Sequence, residues 1–101
     1  MKVEILSPAE AELADAVSYY NEQSEGLGYE FAAEVKQTIA RILQLPDAWT
    51  HLSARTRRCR TKRFPFGLVY QVRGDLVLIV AVMHLRRHPD TWRSRLGSGE
   101  R

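Results

Sequence analysis

Leu76-Val77-Leu78-Ile79-Val80-Ala81-Val82-Met83 is an uninterrupted run of eight apolar residues, and no other segment restricts the fold as much. It is far shorter than the roughly 20 residues that cross a bilayer as a helix. Its β-branched content suits a strand. Successive side chains in a strand point to opposite faces, so a strand apolar at every position must be covered on both. The run therefore predicts a central strand with one face against a helical layer and the other needing a second cover. Arg73-Gly74-Asp75 before it supplies a turn, and Phe66 to Val72 is aromatic and β-branched. Arg57 to Lys62 alternates around Cys59, which completes three strands in a meander.

The first half has a different periodicity. Lys2 to Leu6 alternates as a short strand, and Ser7-Pro8-Ala9-Glu10 reads as a helix start. Ser7 is placed to cap, Pro8 fits the first helical position, and Glu10 would complete a capping box. Ala9, Leu13, Ala16, Val17 and Tyr20 then recur on one helical face, with Glu10, Glu12, Asp15 and Glu22 expected on a solvated face. Gly26-Leu27-Gly28 breaks this helix. A second runs from about Tyr29 to Leu45 with Phe31, Val35, Ile39 and Ile42 as its stripe, and Pro46 stops it. Two amphipathic helices joined by a short turn form an antiparallel hairpin on a sheet. The expected class is α+β in the order β-α-α-β-β-β on a mainly antiparallel sheet, closed by a short helix over Asp90 to Leu96. Residues 1–96 read as one domain and 97–101 as a disordered tail.

Composition narrows the function. Of 101 residues, 45% are hydrophobic and 27% charged, which is ordinary for a globular chain. The N-terminal segment is too short, and too soon broken by Ser7-Pro8, to read as a secretory signal. One cysteine cannot form an internal disulfide, and with three histidines it makes no zinc-ligand spacing. No metal, cofactor or membrane is therefore expected, and the compartment expected is the cytoplasm. The net charge of +3 conceals a division, since residues 1–50 carry three basic and nine acidic side chains. Residues 51–101 carry twelve basic and three acidic ones.

The basic half holds the candidate chemistry. Arg58, Arg60 and Lys62 fall on one face of their strand and Arg57 and Arg63 on the other, followed by Arg86, Arg87, Arg93 and Arg95 past the last strand. Clustered guanidinium groups need solvent or anions, and phosphate is their common match. A solvated edge strand defended by charge is the other reading. His84, beside Arg86 and Arg87, can be a general acid or base, or can close the strand by bonding a backbone carbonyl. Trp92 reads as an anchor for the tail, and Cys59 as a core thiol facing away from Arg58 and Arg60.

Several segments, taken in order, resemble the RelE/ParE superfamily of type II toxin–antitoxin toxins. They are Tyr19-Tyr20, Phe31 and Val35, Leu45-Pro46, Arg63-Phe64-Pro65-Phe66, Leu68-Val69-Tyr70-Gln71-Val72, and the ending His84-Leu85-Arg86-Arg87-His88-Pro89-Asp90-Thr91-Trp92. The resemblance spans residues 2–95 and is nearest the ParE-like, plasmid-stabilisation branch. It implies a toxin neutralised in a hetero-oligomer by an antitoxin encoded beside it. Such an antitoxin would bind Arg57, Arg58, Arg60, Leu76, Leu78 and Val80, covering the second face of the apolar run. ParE-like members poison DNA gyrase, which would assign target binding to Arg86, Arg87, His88, Trp92 and Arg93. RelE-like members cut messenger RNA on the ribosome without metal, driving a 2′-hydroxyl onto the adjacent phosphate.

Carried over residue by residue, the RelE-type site gives Arg58, Arg60 and Arg86 (or Arg87 by a one-residue shift), with His84 for proton transfer. A further arginine of that site falls on Gly67, and the tail tyrosine falls near Trp92, which has no hydroxyl. Losing a transition-state arginine costs a few kcal/mol, about a hundredfold or more in rate. The gyrase-directed mode is therefore preferred, with the nuclease as alternative and a non-toxic basic binding module as a third reading.

Overall fold

The computed structural model describes residues 1–87 and 90–97. The chain folds as β1 (Lys2–Ile5), α1 (Ser7–Gln23), α2 (Leu27–Gln44), β2 (Thr50–His51), β3 (Arg57–Arg60), β4 (Phe66–Arg73) and β5 (Leu76–His84). A short 3-10 turn, Thr91–Arg95, follows. The five strands form one sheet in the order β1-β5-β4-β3-β2, with β1 parallel to β5 and every other pair antiparallel. This is the expected α+β class, with one strand added. β2 is only two residues long and carries no pattern to announce it. β4 occupies the middle of the sheet, and β5 lies between β4 and β1.

The helix hairpin covers one face. Ala9 and Ala16 of α1 and Phe31, Val35 and Ile42 of α2 are buried against Cys59, Leu68, Tyr70, Val77, Ile79 and Val82 of the sheet. Tyr20, Phe31, Phe64 and Phe66 pack ring against ring at one end of this core, with centroids 4.8–6.2 Å apart. The two helices touch closely because position 28 is glycine. A Cβ there would stand 2.0 Å from the Val17 carbonyl oxygen, and the Gly28 N–H donates to Asn21 Oδ1 at 2.7 Å. Gly26, at φ +84°, supplies the left-handed turn between the helices.

Two local expectations are corrected. Ser7 does not cap α1, and no capping box forms. Leu6 takes the cap position, its N–H still donating to Ile79 O (3.0 Å) as a continuation of β1 while its carbonyl accepts from Glu10 N (3.0 Å). The chain passes from strand to helix with no free residue between, so Ser7 becomes the first helical residue and Pro8 the second. Nor do all the early carboxylates face solvent. Glu12 stands three residues after buried Ala9 and four before buried Ala16, on the inward side of α1. Glu34, on the inward stripe of α2, is buried and accepts the Arg63 N–H at 2.8 Å. Arg63 also donates to Glu30 at 3.1 Å, so this member of the basic cluster turns back to the acidic hairpin.

The second face of β5 is closed by the chain itself. Val69, Leu78, Val80, Ala81 and Met83 are buried with Trp92 and Leu96 of the C-terminal segment. Between Val69 and Tyr70 of β4 the partners on β5 skip from Ala81 to Ile79, so Val80 is an extra residue, a β-bulge. The bulge turns Val80 and Ala81 both toward the tail. β1 has already ended at Ile5, and β5 beyond Ile79 lacks a strand on that side. The Glu12–Arg95 pair fills the gap. Glu12 Oε1 accepts the Val82 N–H at 3.0 Å, Arg95 Nη1 donates to Val80 O at 3.0 Å, and the two side chains join through bonds of 2.7 and 2.8 Å. One ion pair thus satisfies backbone groups of the bulge and ties the tail to α1.

Candidate functional site

Most of the residues with candidate chemistry gather where β3 and β5 end and β4 begins. Arg60 pairs there with Gly67, and Phe66 with His84. Strand alternation decides the rest. Cys59 belongs to the hairpin-side core, so Arg58 and Arg60 face the other way, the side of Val69 and Trp92. Arg60 is exposed, and its strand-edge carbonyl accepts from Arg41 Nη2 at 3.0 Å. Arg58 lies down across Gly67. A Cβ at position 67 would come within 2.8 Å of Arg58 Cδ, 2.9 Å of Cγ and 3.2 Å of Leu85 Cδ2. Glycine at 67 therefore makes room for the Arg58 stem, and an arginine there would need the same space.

His84 points to the opposite face. Its ring packs edge-on against Phe66 with centroids 5.3 Å apart, on the side of the hairpin. It lines an open cleft of about 610 Å³ together with Asp15, Tyr19 and Tyr20 of α1 and Arg87. His84 Nδ1 accepts the Arg86 N–H at 3.2 Å, so the ring closes the turn that follows β5 by bonding an amide, where a carbonyl was the sequence expectation. Arg86 and Arg87 are exposed in that turn. The sheet consequently stands between His84 and the Arg58/Arg60 side chains.

The remaining candidates divide similarly. Trp92 is 1% exposed and anchors the tail, with the Arg93 guanidinium 4.5 Å from its ring centroid and also 3.3 Å from Asp90. His88 lies outside the described residues, as do the last four residues of the expected 97–101 tail. Of the expected antitoxin contacts, Leu78 and Val80 are buried beneath Trp92 and Leu96, and Leu76 is half-buried. The tail that Trp92 anchors is what covers them, so the anchor read from the sequence already supplies the second cover. Arg57 shares the hairpin face with Cys59 and donates from Nη1 to Trp49 O at 2.8 Å. The Cys59 thiol is buried and its pKa is pushed up by that burial, as a core thiol requires. Burial also pushes the Tyr70 hydroxyl up to about 12. That hydroxyl donates to Pro46 O at 2.5 Å, fastening the end of α2 to β4.

The Glu12–Arg95 pair was missed, although half of it was signalled. Glu12 falls at helical spacing on the stripe of Ala9 and Ala16, but nothing local to Arg95 marks its partner 83 residues away. Hydrogen bonding to Glu12 raises the Arg95 pKa further. Among the described residues no group of three or more His, Cys, Asp or Glu side chains could hold a metal ion, and no helix is long and apolar enough to cross a membrane.

Residues 3–89 match the model of a family described as the ParE toxin of the type II toxin–antitoxin system parDE. Among solved structures, one described as a chromosomal ParDE toxin–antitoxin system from P. aeruginosa superposes with a TM-score of 0.75. The two are 15% identical, over 84% of this chain and 96% of that one. No curated protein matches.

Proposed function

The chain belongs to the ParE toxin family of type II toxin–antitoxin systems, and from that footing we propose that it arrests growth by binding DNA gyrase. In this mode it performs no covalent chemistry. Support comes from the split of the would-be nuclease set. RNA cleavage by Arg58, Arg60, His84 and Arg86 would require the histidine and the strand arginines to converge on one phosphate. Here Arg58 and Arg60 lie on the tail side of the sheet and His84 on the hairpin side, paired with Phe66. The space of the further arginine at Gly67 is filled by the stem of Arg58.

The target-binding surface in this reading is the exposed turn with Arg86 and Arg87, extended by Arg93. Trp92 serves it indirectly by holding Arg93 and the tail in place. The antitoxin, an acidic and amphipathic partner made with the toxin, covers the basic end around Arg58, Arg60 and Arg86. It leaves Leu78 and Val80 under their own tail.

Purified toxin added to a gyrase supercoiling assay is expected to inhibit it, and co-purified antitoxin to restore it. Arg86→Ala/Arg87→Ala should abolish inhibition, whereas Glu22→Ala on the hairpin should not. Unimpaired supercoiling together with codon-phased messenger RNA ends on expression would install the ribosome-dependent nuclease instead. Normal growth on confirmed expression would leave only a basic binding module.

A further inference from the structure

The end of the sheet remote from Arg86 and Arg87 holds an open groove of about 540 Å³. Its lining includes Tyr70 and Val72 of β4, Arg57, Arg55 and His51 from the β2–β3 hairpin, and Asp47 past the end of α2. Arg57 decides its character. It is half-buried, is anchored by a hydrogen bond from Nη1 to Trp49 O, and has no ion-pair partner among the described residues. Arg95, also partly buried, differs in having Glu12 on both of its terminal nitrogens. A half-buried cation without a counter-charge is costly, and an anion entering the groove would relieve it. Arg55, two residues away and exposed, and Arg73, which donates to Gln71 Oε1, bring the lining to three guanidinium groups against the single carboxylate of Asp47.

We propose that this groove is a binding site for a phosphate-bearing ligand of nucleotide size, with the phosphate held by Arg57 and Arg55. Phosphate, whether terminal or in a strand, is a common match for paired guanidinium groups, because its anionic oxygens can accept from both at once. The volume lies within the range of small-ligand sites. Val72, 38% exposed, and Ala54 offer an apolar wall for the uncharged part of the ligand. The phosphate can belong to a free nucleotide or to a nucleic-acid strand. The site is separate from the surface assigned to gyrase, and the inference goes beyond that reading.

The test is calorimetric titration of the full chain at low salt with ATP and, separately, with a short DNA duplex. Arg55→Glu is the informative variant, since Arg55 is exposed and its exchange should leave the fold intact. Lys62→Glu, an exposed residue of the same basic half away from the groove, makes the same change of charge. ATP binding weakened at least tenfold by Arg55→Glu and not by Lys62→Glu supports the site with a free nucleotide as its source. Duplex binding with that same pattern, and none of ATP, supports it with a strand phosphate as the source. Absence of binding to either at millimolar ligand overturns the proposal. So does binding that ignores Arg55→Glu or falls equally in Lys62→Glu. None of these outcomes bears on gyrase inhibition, which is read in its own assay.

Discussion

The two faces of β5 are both dry, but they are kept so by different means. On the hairpin side, helices of 17 and 18 residues lay continuous apolar stripes over Val77, Ile79 and Val82. On the other side a 3-10 turn of five residues covers Leu78, Val80, Ala81 and Met83 with little more than Trp92 and Leu96. The first cover is redundant, since many side chains share the burial. The second rests on two apolar anchors of the tail, the partly buried Leu6 and Leu52, and one ion pair. A face closed by so few contacts opens at lower free energy than the global unfolding that would be needed to lift the hairpin.

That contrast can be broken experimentally. The largest effect is expected in the hairpin core, where Phe31→Ala removes a fully buried ring that touches Tyr20, Phe64 and Phe66. Equilibrium denaturation should show a loss of about 3–5 kcal/mol in one cooperative transition. Glu12→Ala should cost less, about 2–3 kcal/mol after allowing for the partial exposure of the pair. It should also act locally, speeding exchange of the Val82 amide and moving Trp92 emission to the red while the hairpin-side amides stay protected. Protection at Val82 equal to wild type would mean that the tail is held without the ion pair. Gly67→Ala is expected to cost about 1–3 kcal/mol by forcing Arg58 off its resting place, measurable as a lower denaturation midpoint. A neutral result would show that the Arg58 stem moves freely. Ser7→Ala should change stability by less than about 0.5 kcal/mol, because the hydroxyl caps nothing. A loss near 1 kcal/mol, typical of a true cap, would restore the sequence-based view of how α1 begins.

Ser7 and Glu12 show where reading the sequence stops. Ser7-Pro8-Ala9-Glu10 has the composition of a capping box, yet the cap position belongs to Leu6 because Leu6 is still bonded to Ile79, 73 positions further on. Glu12 carries a charge, so polarity argued for the outer face, while its spacing from Ala9 and Ala16 argued for the inner one. The inner position prevailed because β1 ends at Ile5 and leaves the Val82 amide and the Val80 carbonyl of β5 to be satisfied. The candidate site was legible as a list of residue types and not as a place. Arg58, Arg60, His84 and Arg86 are all near one end of the sheet, but the two-residue period of β3 and the pairing of His84 with Phe66 put them on opposite sides. Arg57, grouped with its neighbours by charge, belongs to a groove at the other end of the strands.

The sequence by itself determined the α+β class, the helix hairpin, the β3–β4–β5 meander and the need for two covers over the Leu76–Met83 run. It also determined the departure from a nuclease pattern at Gly67. These follow from periodicity and local chain chemistry, which act over a few residues. The tertiary structure alone settled how the second cover is tied down, the inward, partly buried placement of Glu12 and the division of the basic residues between two faces and two ends of the sheet. Each of these depends on a β-bulge, a strand end or a contact across tens of residues. In such cases the free energy of satisfying a buried polar group outweighs the preference of any single side chain.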